Sequence, residues 1–312
     1  MTSSRIGGVR AGPDCPVRIM GVINASPESH YKGSVCSTAR AVRDRARSIE
    51  GAGGDYVDIG GMSTAPYLDG TLVSEREESG RVVAAVRAAL DACNLPVSVD
   101  TCRAAVARAA LEEGACIVND ISGLKHDRMM AGTVKRHGAS VILGAYGGPG
   151  TPPSTSAGGA GHGSGPVWRA RDLLAQSVEI ASGSGIAASG VAVDPSIGFF
   201  RKGGSGRLYT RLAPDEGDWV SRDLAVLAGL DSLRVAGGMP VAVSVSNKSF
   251  LGVVTGRDAA SARTYGSVAA EAIAVTSGAD IIRTHHVEAA RDAVALSSRM
   301  AGRPRHDGPG EE

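Results

Sequence analysis

Aromatic residues are scarce in this chain of 312 residues, and its cysteines follow no recognisable spacing. Phe, Tyr and Trp make up 4% of the sequence, so any core must consist mainly of small aliphatic side chains. The five cysteines form no C-x-x-C pair and no zinc-type cluster with histidine. An odd number of cysteines without a pairing framework indicates free thiols in a reducing cytoplasm.

An excess of one charge and long apolar runs are also lacking. Lys and Arg number 33 and Asp and Glu number 32, which argues against a nucleic-acid-binding surface as the main function. No run reaches the roughly 18 apolar residues of a membrane span, and the N-terminus has no signal-peptide pattern. The sequence therefore predicts a soluble, cytoplasmic protein whose partners are small molecules rather than nucleic acid or membrane.

Glycine and short aliphatic runs are abundant. The 43 glycines are about twice the usual share, and hydrophobic residues amount to 43%. Runs rich in Val and Ile predict strands that are buried on both faces. These runs cover residues 17–23, 56–59, 96–99, 115–118, 140–143, 191–193, 241–245 and 280–283. Helical patterns lie between them, most clearly at residues 38–52, 75–92, 103–113, 128–137, 259–277 and 288–300.

Strand and helix alternate roughly eight times, which predicts a parallel sheet. Eight such units in a chain of this length are typical of a (β/α)8 TIM barrel, so we expect one α/β domain over residues 1–302. A doubly wound sheet is the alternative, but the glycine-rich dinucleotide fingerprint is missing after the first strand. Composition predicts a flexible Gly-rich loop at 144–165, an irregular segment at 201–219 and a disordered tail at 303–312.

Polar residues accompany most of the predicted strand ends. In a TIM barrel the chemistry is located at the carboxyl ends of the strands, so these side chains would meet at one mouth. The acidic and amide residues belong to strands one to four and six, and they are Asn24, Asp58, Asp100, Asn119 and Asp194. The cationic residues belong to strands seven and eight, and they are Lys248, Arg283 and His285.

The two groups favour a ligand with two different ends. Carboxylates and amides suit a heterocycle with many N–H donors, such as an aminopyrimidinone, whereas Lys248, Arg283 and His285 suit an anion such as phosphate. A single Asp at a strand end is more often a helix cap, so the hypothesis depends on the joint placement of these residues. For Asp58, a buried structural role and a role in the site both stay open.

These polar residues lie in seven sequence blocks, at residues 19–29, 58–64, 98–101, 119–122, 194–199, 246–250 and 283–285. In their order and spacing the blocks resemble those of the dihydropteroate synthases and the wider pterin-binding family. The resemblance implies a TIM barrel that joins 6-hydroxymethyl-7,8-dihydropterin diphosphate to an arylamine and releases pyrophosphate. It also implies Mg²⁺ as cofactor, a homodimer and a place in folate biosynthesis.

The resemblance assigns a role to each matching position of the pterin pocket. Asp100, Asn119 and Asp194 would bind the pterin edge, and Lys248 would reach the N5/O4 side of the ring. Phe199, in the fifth block, belongs to the same substrate-binding set.

A second group of matching positions would bind the diphosphate. The resemblance assigns Asn24, Arg283 and His285 to it, with Asn24 also contacting Mg²⁺. Because pyrophosphate gains charge as it leaves, Arg283, His285 and the metal would stabilise the transition state more than the ground state. The loops expected to close over the amine contain Ser26, Pro27, Ser63 and Thr64. The residues expected to carry catalysis are Lys248, Arg283, His285 and Asp100.

Several positions depart from the family pattern. Glu28 replaces an Asp in the first loop, Met62 and Ala65 replace Glu and Arg in the second, Ala145 stands where a Met-His pair is usual, and Asn247 replaces an Arg. Most of these positions surround the amine, so both p-aminobenzoate and a ribofuranosylaminobenzene phosphate stay open as co-substrate. The second amine would place the chain with the archaeal-type synthases of tetrahydromethanopterin biosynthesis.

Two other functions stay open. Ser246, Asn247, Ser249 and Phe250 also resemble a motif of the methyl-pterin:corrinoid methyltransferases, although Lys248 stands where those enzymes have an apolar residue. A non-catalytic pterin-binding paralogue is the other alternative, and the departures in the loops motivate it.

Overall fold

Eight parallel strands form the centre of the computed structural model, which describes residues 4–27, 33, 35–63, 73–148, 164–203, 208–213, 216–235 and 238–305. Around the barrel they are β3 (Arg18–Asn24), β4 (Tyr56–Gly60), β5 (Val97–Asp100), β6 (Ile117–Asp120), β7 (Ser140–Gly144), β8 (Val191–Asp194), β11 (Ala242–Val243) and β12 (Ile281–Thr284). β12 pairs with β3, and a parallel bridge from Val193 to Val241 joins β8 to the chain entering β11. The prediction of a single-domain TIM barrel is confirmed.

Helices pack around the outside of this barrel. They are α1 (Ala39–Gly51), α2 (Glu75–Leu90), α3 (Ala104–Glu112), α4 (Met130–His137), α5 (Pro166–Gly183), α6 (Trp219–Ala228), α7 (Ser249–Thr255), α8 (Thr264–Thr276) and α9 (Val287–Met300). Side chains of Thr38 and Ser74 accept hydrogen bonds from the first turns of α1 and α2, as N-caps do. Gly138 ends α4 in the left-handed conformation, at φ 60°, which a residue without Cβ adopts readily.

The described part of residues 201–219 contains short regular elements where the sequence predicts an irregular segment. β9 (Phe200–Arg201) and β10 (Thr210–Arg211) pair in parallel there, and Trp219 begins α6. Strands of two residues are too short to show a periodic pattern, which explains why the prediction was wrong for these positions. The Asp218 carboxylate caps α6 by accepting hydrogen bonds from the N–H groups of Val220 and Ser221.

The barrel is closed at its amino-terminal end by a hairpin of β1 (Ser4–Ile6) and β2 (Val9–Ala11). Ile6 and Ala11 pack on inward residues of the barrel strands, and the resulting apolar layer also contains Met20, Tyr56, Ile117, Ile142, Ala192, Ala242 and Ile281. Gly7 crosses this layer so closely that a Cβ there would lie 2.7 Å from Ile117 Cδ1. Because this layer is apolar and closes the amino-terminal end, inward polar side chains of the strands lie toward the opposite, carboxyl end of the barrel.

Small aliphatic residues fill the second core, between strands and helices, as the shortage of aromatics predicts. All five cysteines are free thiols. Across the ranges that the structure describes, no helix combines the length and apolar character needed to cross a membrane.

Parts of the predicted loop and tail can be located. Gly144 ends β7, and α5 begins at Pro166, but residues 149–163 lie outside the described ranges. Arg303, the first residue of the predicted tail, donates hydrogen bonds to the carbonyls of Gly12 and Cys15 and to Asp280. Residues 306–312 also lie outside the described ranges, so their predicted disorder stays a prediction.

A buried carboxyl group in α8 makes the stability of the fold sensitive to pH. Glu271 is fully buried, and burial raises its pKa to about 8. Its contribution to stability is present below its unfolded pKa and is lost as the pH rises through the folded value. We expect the protein to lose roughly 2–3 kcal/mol of unfolding free energy from this group between about pH 6 and pH 9. Urea unfolding should show this loss in the wild type but not in Glu271→Gln.

Glu288, which is exposed in the first turn of α9, provides a matched control for that prediction. Glu288→Gln should lose as much stability with rising pH as the wild type does. An equal loss in Glu271→Gln would show that the buried carboxyl is not responsible.

Candidate active site

Polar residues form the layer directly above the apolar floor of the barrel. Because side chains alternate along a strand, the residue two positions after each floor residue faces inward again. On five strands that residue is polar: Asp58 follows Tyr56, Asn119 follows Ile117, Asp194 follows Ala192, Ser244 follows Ala242 and Arg283 follows Ile281. Strand alternation alone therefore directs these side chains to one mouth.

Arg283 is the centre of this polar layer. Its Nε donates to Asp58 Oδ2 over 2.6 Å, and its Nη2 donates to Asp100 Oδ2 over 2.8 Å. Asn119 Nδ2 donates to the same Asp58 oxygen over 3.3 Å. Four strands thus contribute to one hydrogen-bonded network. Asp58, whose role the sequence left open, is fully buried and joins Arg283 to Asn119.

Burial and neighbouring charges set the ionisation of this network. Burial raises the pKa of Asp100 to about 7, against the opposing effect of Arg283, and the nearby Asp58 carboxylate raises it further. For Arg283, burial acts to lower the pKa, but Asp58 and Asp100 outweigh it and hold the pKa above its ordinary value. Arg283 is therefore permanently charged, whereas Asp100 can exchange a proton near neutral pH.

Asp194 and Lys248 lie next to this network. Asp194 Oδ1 accepts the N–H of Ser196 over 2.7 Å, and burial raises its pKa. Lys248 Nζ lies 4.1 Å from the centroid of the Phe199 ring, a cation–π distance. Burial lowers the pKa of Lys248 to about 8, while the charge of Asp194 acts in the opposite direction.

Two backbone features bring Phe199 and Lys248 together. Gly198 has a φ of 89°, and a Cβ at this residue would lie 3.0 Å from Lys248 Cδ. Asn247, directly before Lys248, has a φ of 58°, a left-handed conformation that Asn tolerates better than most residues. The Asn247 carbonyl and amide are held by Arg263 and Ser267. Asn at position 247, where the family pattern has Arg, therefore suits the left-handed backbone that precedes Lys248.

His285 is half-buried beside the cations of the site. Its backbone N–H donates to Ser246 Oγ over 3.2 Å, and its backbone carbonyl accepts from Arg45 Nη2 over 2.6 Å. Burial and the positive charge of Arg283 lower its pKa well below the ordinary value. Sequence analysis groups His285 with the cations, whereas its lowered pKa favours the neutral imidazole.

Asn24, Ser26 and Ser63 are the remaining predicted site residues that the structure describes, and they lie at or just after the ends of β3 and β4. Asn24 ends β3, and its Oδ1 would lie 3.8 Å from a Cβ on Gly60, on the same side as Asp100. Ser26 is buried just after β3, and Ser63 is the last described residue before the gap at 64–72. Thr64, Ala65 and Glu28 lie outside the described ranges, so their roles stay predictions.

The donors at the mouth fit a magnesium ion only when a substrate brings further oxygens. Within the described ranges, no three His, Cys, Asp or Glu side chains are grouped so that they could hold a metal. Asn24 offers one amide oxygen near the Asp100 carboxylate. Mg²⁺ commonly takes one or two protein oxygens together with substrate phosphates and water, and this arrangement agrees with that pattern.

Comparison with known proteins identifies the family. The profile of the pterin binding enzyme family matches residues 20–285. The chain belongs to this family. A similar protein is the dihydropteroate synthase of Synechocystis sp., which is 30% identical over 271 residues, covering 87% of this chain and 86% of that protein.

Solved structures of pterin binding enzymes share this fold over nearly the whole chain. The dihydropteroate synthase of Xanthomonas albilineans with 4-aminobenzoic acid has a TM-score of 0.77 and 30% identity, covering 97% of this chain and 100% of that one. The Burkholderia cenocepacia dihydropteroate synthase complexed with 7,8-dihydropteroate has a TM-score of 0.74 and 29% identity, covering 96% and 97%.

Sequence reasoning missed two residues of this pterin binding enzyme's site. Ser244 and Arg45 belong to no recognised block, yet Ser244 Oγ lies 3.5 Å from Arg283 Nη1 and Arg45 binds the His285 carbonyl. Period-two alternation from Ala242 could have found Ser244. No local signal could have found Arg45, because its contact with His285 joins residues far apart in the chain.

Proposed function

We propose that this chain condenses 6-hydroxymethyl-7,8-dihydropterin diphosphate with p-aminobenzoate and releases pyrophosphate, as a dihydropteroate synthase. The observation that carries the proposal is the group of Asp100, Asn119 and Asp194 at one mouth, next to Lys248 and Arg283. Hydrogen-bond acceptors suit the N–H-rich edge of a pterin, and cations suit its diphosphate. The solved relatives with 4-aminobenzoic acid and with 7,8-dihydropteroate support this choice of substrates.

In this proposal the arylamine nitrogen attacks the exocyclic methylene of the pterin. The C–N bond forms, the C–O bond breaks, its electron pair leaves with pyrophosphate, and the amine gives up a proton to solvent. Arg283 stabilises the negative charge that develops on the leaving group, and the Lys248 ammonium donates to the N5/O4 side of the ring. Neutral His285 donates a hydrogen bond to the oxygens of the leaving group. Asn24 would hold Mg²⁺ together with oxygens of the diphosphate, and the metal would supply further neutralisation of the negative charge there.

The binding residues act mainly by orientation. Asp100, Asn119 and Asp194 hold the ring so that its methylene faces the amine, and Phe199 covers the ring beside Lys248. We place the amine between the loops of Ser26 and Ser63, the second of which leads to Thr64. Excluding water there would protect the electrophilic methylene from hydrolysis.

An assay of pyrophosphate release tests this function. The protein, Mg²⁺ and pterin diphosphate should release pyrophosphate with p-aminobenzoate. Release only with ribofuranosylaminobenzene phosphate would move the chain to tetrahydromethanopterin biosynthesis. Tight pterin binding without release, with either amine, would indicate a non-catalytic paralogue, and methyl transfer from a methyl-pterin to a corrinoid would indicate the methyltransferase.

We also propose that the enzyme acts as a homodimer in the cytoplasm. Free thiols agree with a reducing compartment. Light scattering of the purified protein should give twice the mass of the chain, which is 31.6 kDa. A mass equal to one chain would contradict the dimer.

A further inference from the structure

A group of arginines lies outside the polar layer, behind the loop that follows β8. Arg222 is fully buried, its guanidinium carbon lies 3.3 Å from the centroid of the Phe200 ring, and its Nη1 donates to Asp223 over 3.1 Å. Arg222 also pairs with Glu216 over 3.9 Å. Arg222 thus packs against Phe200, the residue after Phe199, while the two carboxylates hold its guanidinium in place.

Arg201 extends this group toward the mouth. Its guanidinium carbon lies 4.1 Å from the centroid of the Trp219 ring, and its Nη1 lies 3.9 Å from Asp223 Oδ2. Its Nη2 donates to Ser249 Oγ over 3.0 Å. Ser249 directly follows Lys248, so Arg201 links the loop after β8 to the loop after β11.

The two linked loops carry Phe199 and Lys248, whose side chains contact each other at the proposed pterin site. Phe199 lies two positions before Arg201, and Lys248 lies one position before Ser249. We propose that Arg201 is a positioning residue, which holds the Lys248 ammonium over the Phe199 ring by fixing the two loops to each other through Ser249 and Trp219. The role of these contacts in pterin binding rests on the proposed function, whereas the contacts themselves are seen in the structure.

Arg201 also acts on Lys248 through its charge. Lys248 interacts electrostatically with Asp100 on β5 and with His285 after β12. The largest charge effects on Lys248 come from Asp194 at the end of β8, Arg283 on β12, Asp223 on α6 and Arg201 on β9. The two carboxylates raise the pKa of Lys248 and the two arginines lower it, while burial lowers it most. Removing the Arg201 charge should therefore raise the pKa of Lys248.

Two readouts test the proposal, and the first needs no catalysis. Pulse acetylation at a series of pH values, followed by mass spectrometry, reports the fraction of Lys248 that is unprotonated. Its midpoint should lie at about pH 8 in the wild type and higher in Arg201→Gln. Arg201→Lys and Ser249→Ala should keep the wild-type midpoint because neither removes the charge.

The second readout is the binding of the pterin. Arg201→Gln should weaken calorimetric binding of pterin diphosphate about tenfold, and Ser249→Ala somewhat less, because each loses a hydrogen bond that orders the loops. Arg211→Gln is the matched control, because Arg211 is exposed on the paired strand β10 and should change neither readout.

The outcomes separate the two proposals. An unchanged midpoint and unchanged binding in Arg201→Gln would overturn the positioning role. If the wild type releases no pyrophosphate but Arg201→Gln and Ser249→Ala both weaken pterin binding as expected, the positioning role holds and the proposed function fails. If Arg201→Gln does not fold, Ser249→Ala decides, since unchanged pterin binding in that variant would also overturn the proposal.

Discussion

Asp58→Ala is expected to lower the unfolding free energy by roughly 3–5 kcal/mol. The Asp58 carboxylate is fully buried and accepts hydrogen bonds from both Arg283 and Asn119. Its removal leaves the Arg283 cation in the barrel with Asp100 as its remaining carboxylate partner, and burial favours the protonated form of Asp100. Urea unfolding at neutral pH measures the loss.

Two further variants control this prediction. Asp58→Asn keeps an acceptor oxygen for Arg283 and should lose less stability than Asp58→Ala. Asp44 is an exposed acid that pairs with Arg40 and Arg47 on α1, so Asp44→Ala should change the unfolding free energy by less than about 1 kcal/mol. If Asp58→Ala and Asp44→Ala cost the same, Asp58 is not the charge partner that the geometry indicates.

The pH dependence of kcat/KM for the pterin substrate is expected to be bell-shaped, with limbs near pH 7 and pH 8. The activity rises as Asp100 loses its proton, because the carboxylate accepts hydrogen bonds from the pterin better than the acid does. It falls as Lys248 loses its proton, because the neutral amine is a weaker hydrogen-bond donor to the N5/O4 side of the ring than the ammonium is. The two apparent values belong to the coupled site rather than to isolated residues.

Variants of Asp100 and Lys248 show which residue produces each limb of the pH profile. Asp100→Asn should lower kcat/KM about 100-fold and remove the acidic limb. Lys248→Met should remove the alkaline limb with a loss of similar size. A profile that keeps its acidic limb in Asp100→Asn would show that another group titrates near pH 7.

The positions of the strands can be predicted from sequence because both faces of each strand are buried, which produces continuous Val- and Ile-rich runs. Asp100, Asn119, Asp194 and Arg283 can then be assigned to one mouth, since strand ends converge in a barrel. Their meeting in the structure follows from strand order and alternation rather than from any local contact.

Other features depend on packing between distant segments and are not visible in sequence. The lowered pKa of His285 results from burial and from the charges of Arg283 and Arg45, which a local motif does not show. The link from Arg201 to Ser249 joins residues 48 positions apart. Strand alternation predicts that Asp58 faces inward. Only the structure shows that Arg283 and Asn119 both donate to the same oxygen of its carboxylate.

A crystal structure of the protein with 6-hydroxymethylpterin diphosphate tests the central claim most directly. The account predicts that the N–H groups of the ring lie within hydrogen-bond distance of Asp100, Asn119 and Asp194, with Lys248 beside the ring and Arg283 near the diphosphate. A pterin ring bound elsewhere on the protein, or one bound at the mouth without contact to these acceptors, would contradict it.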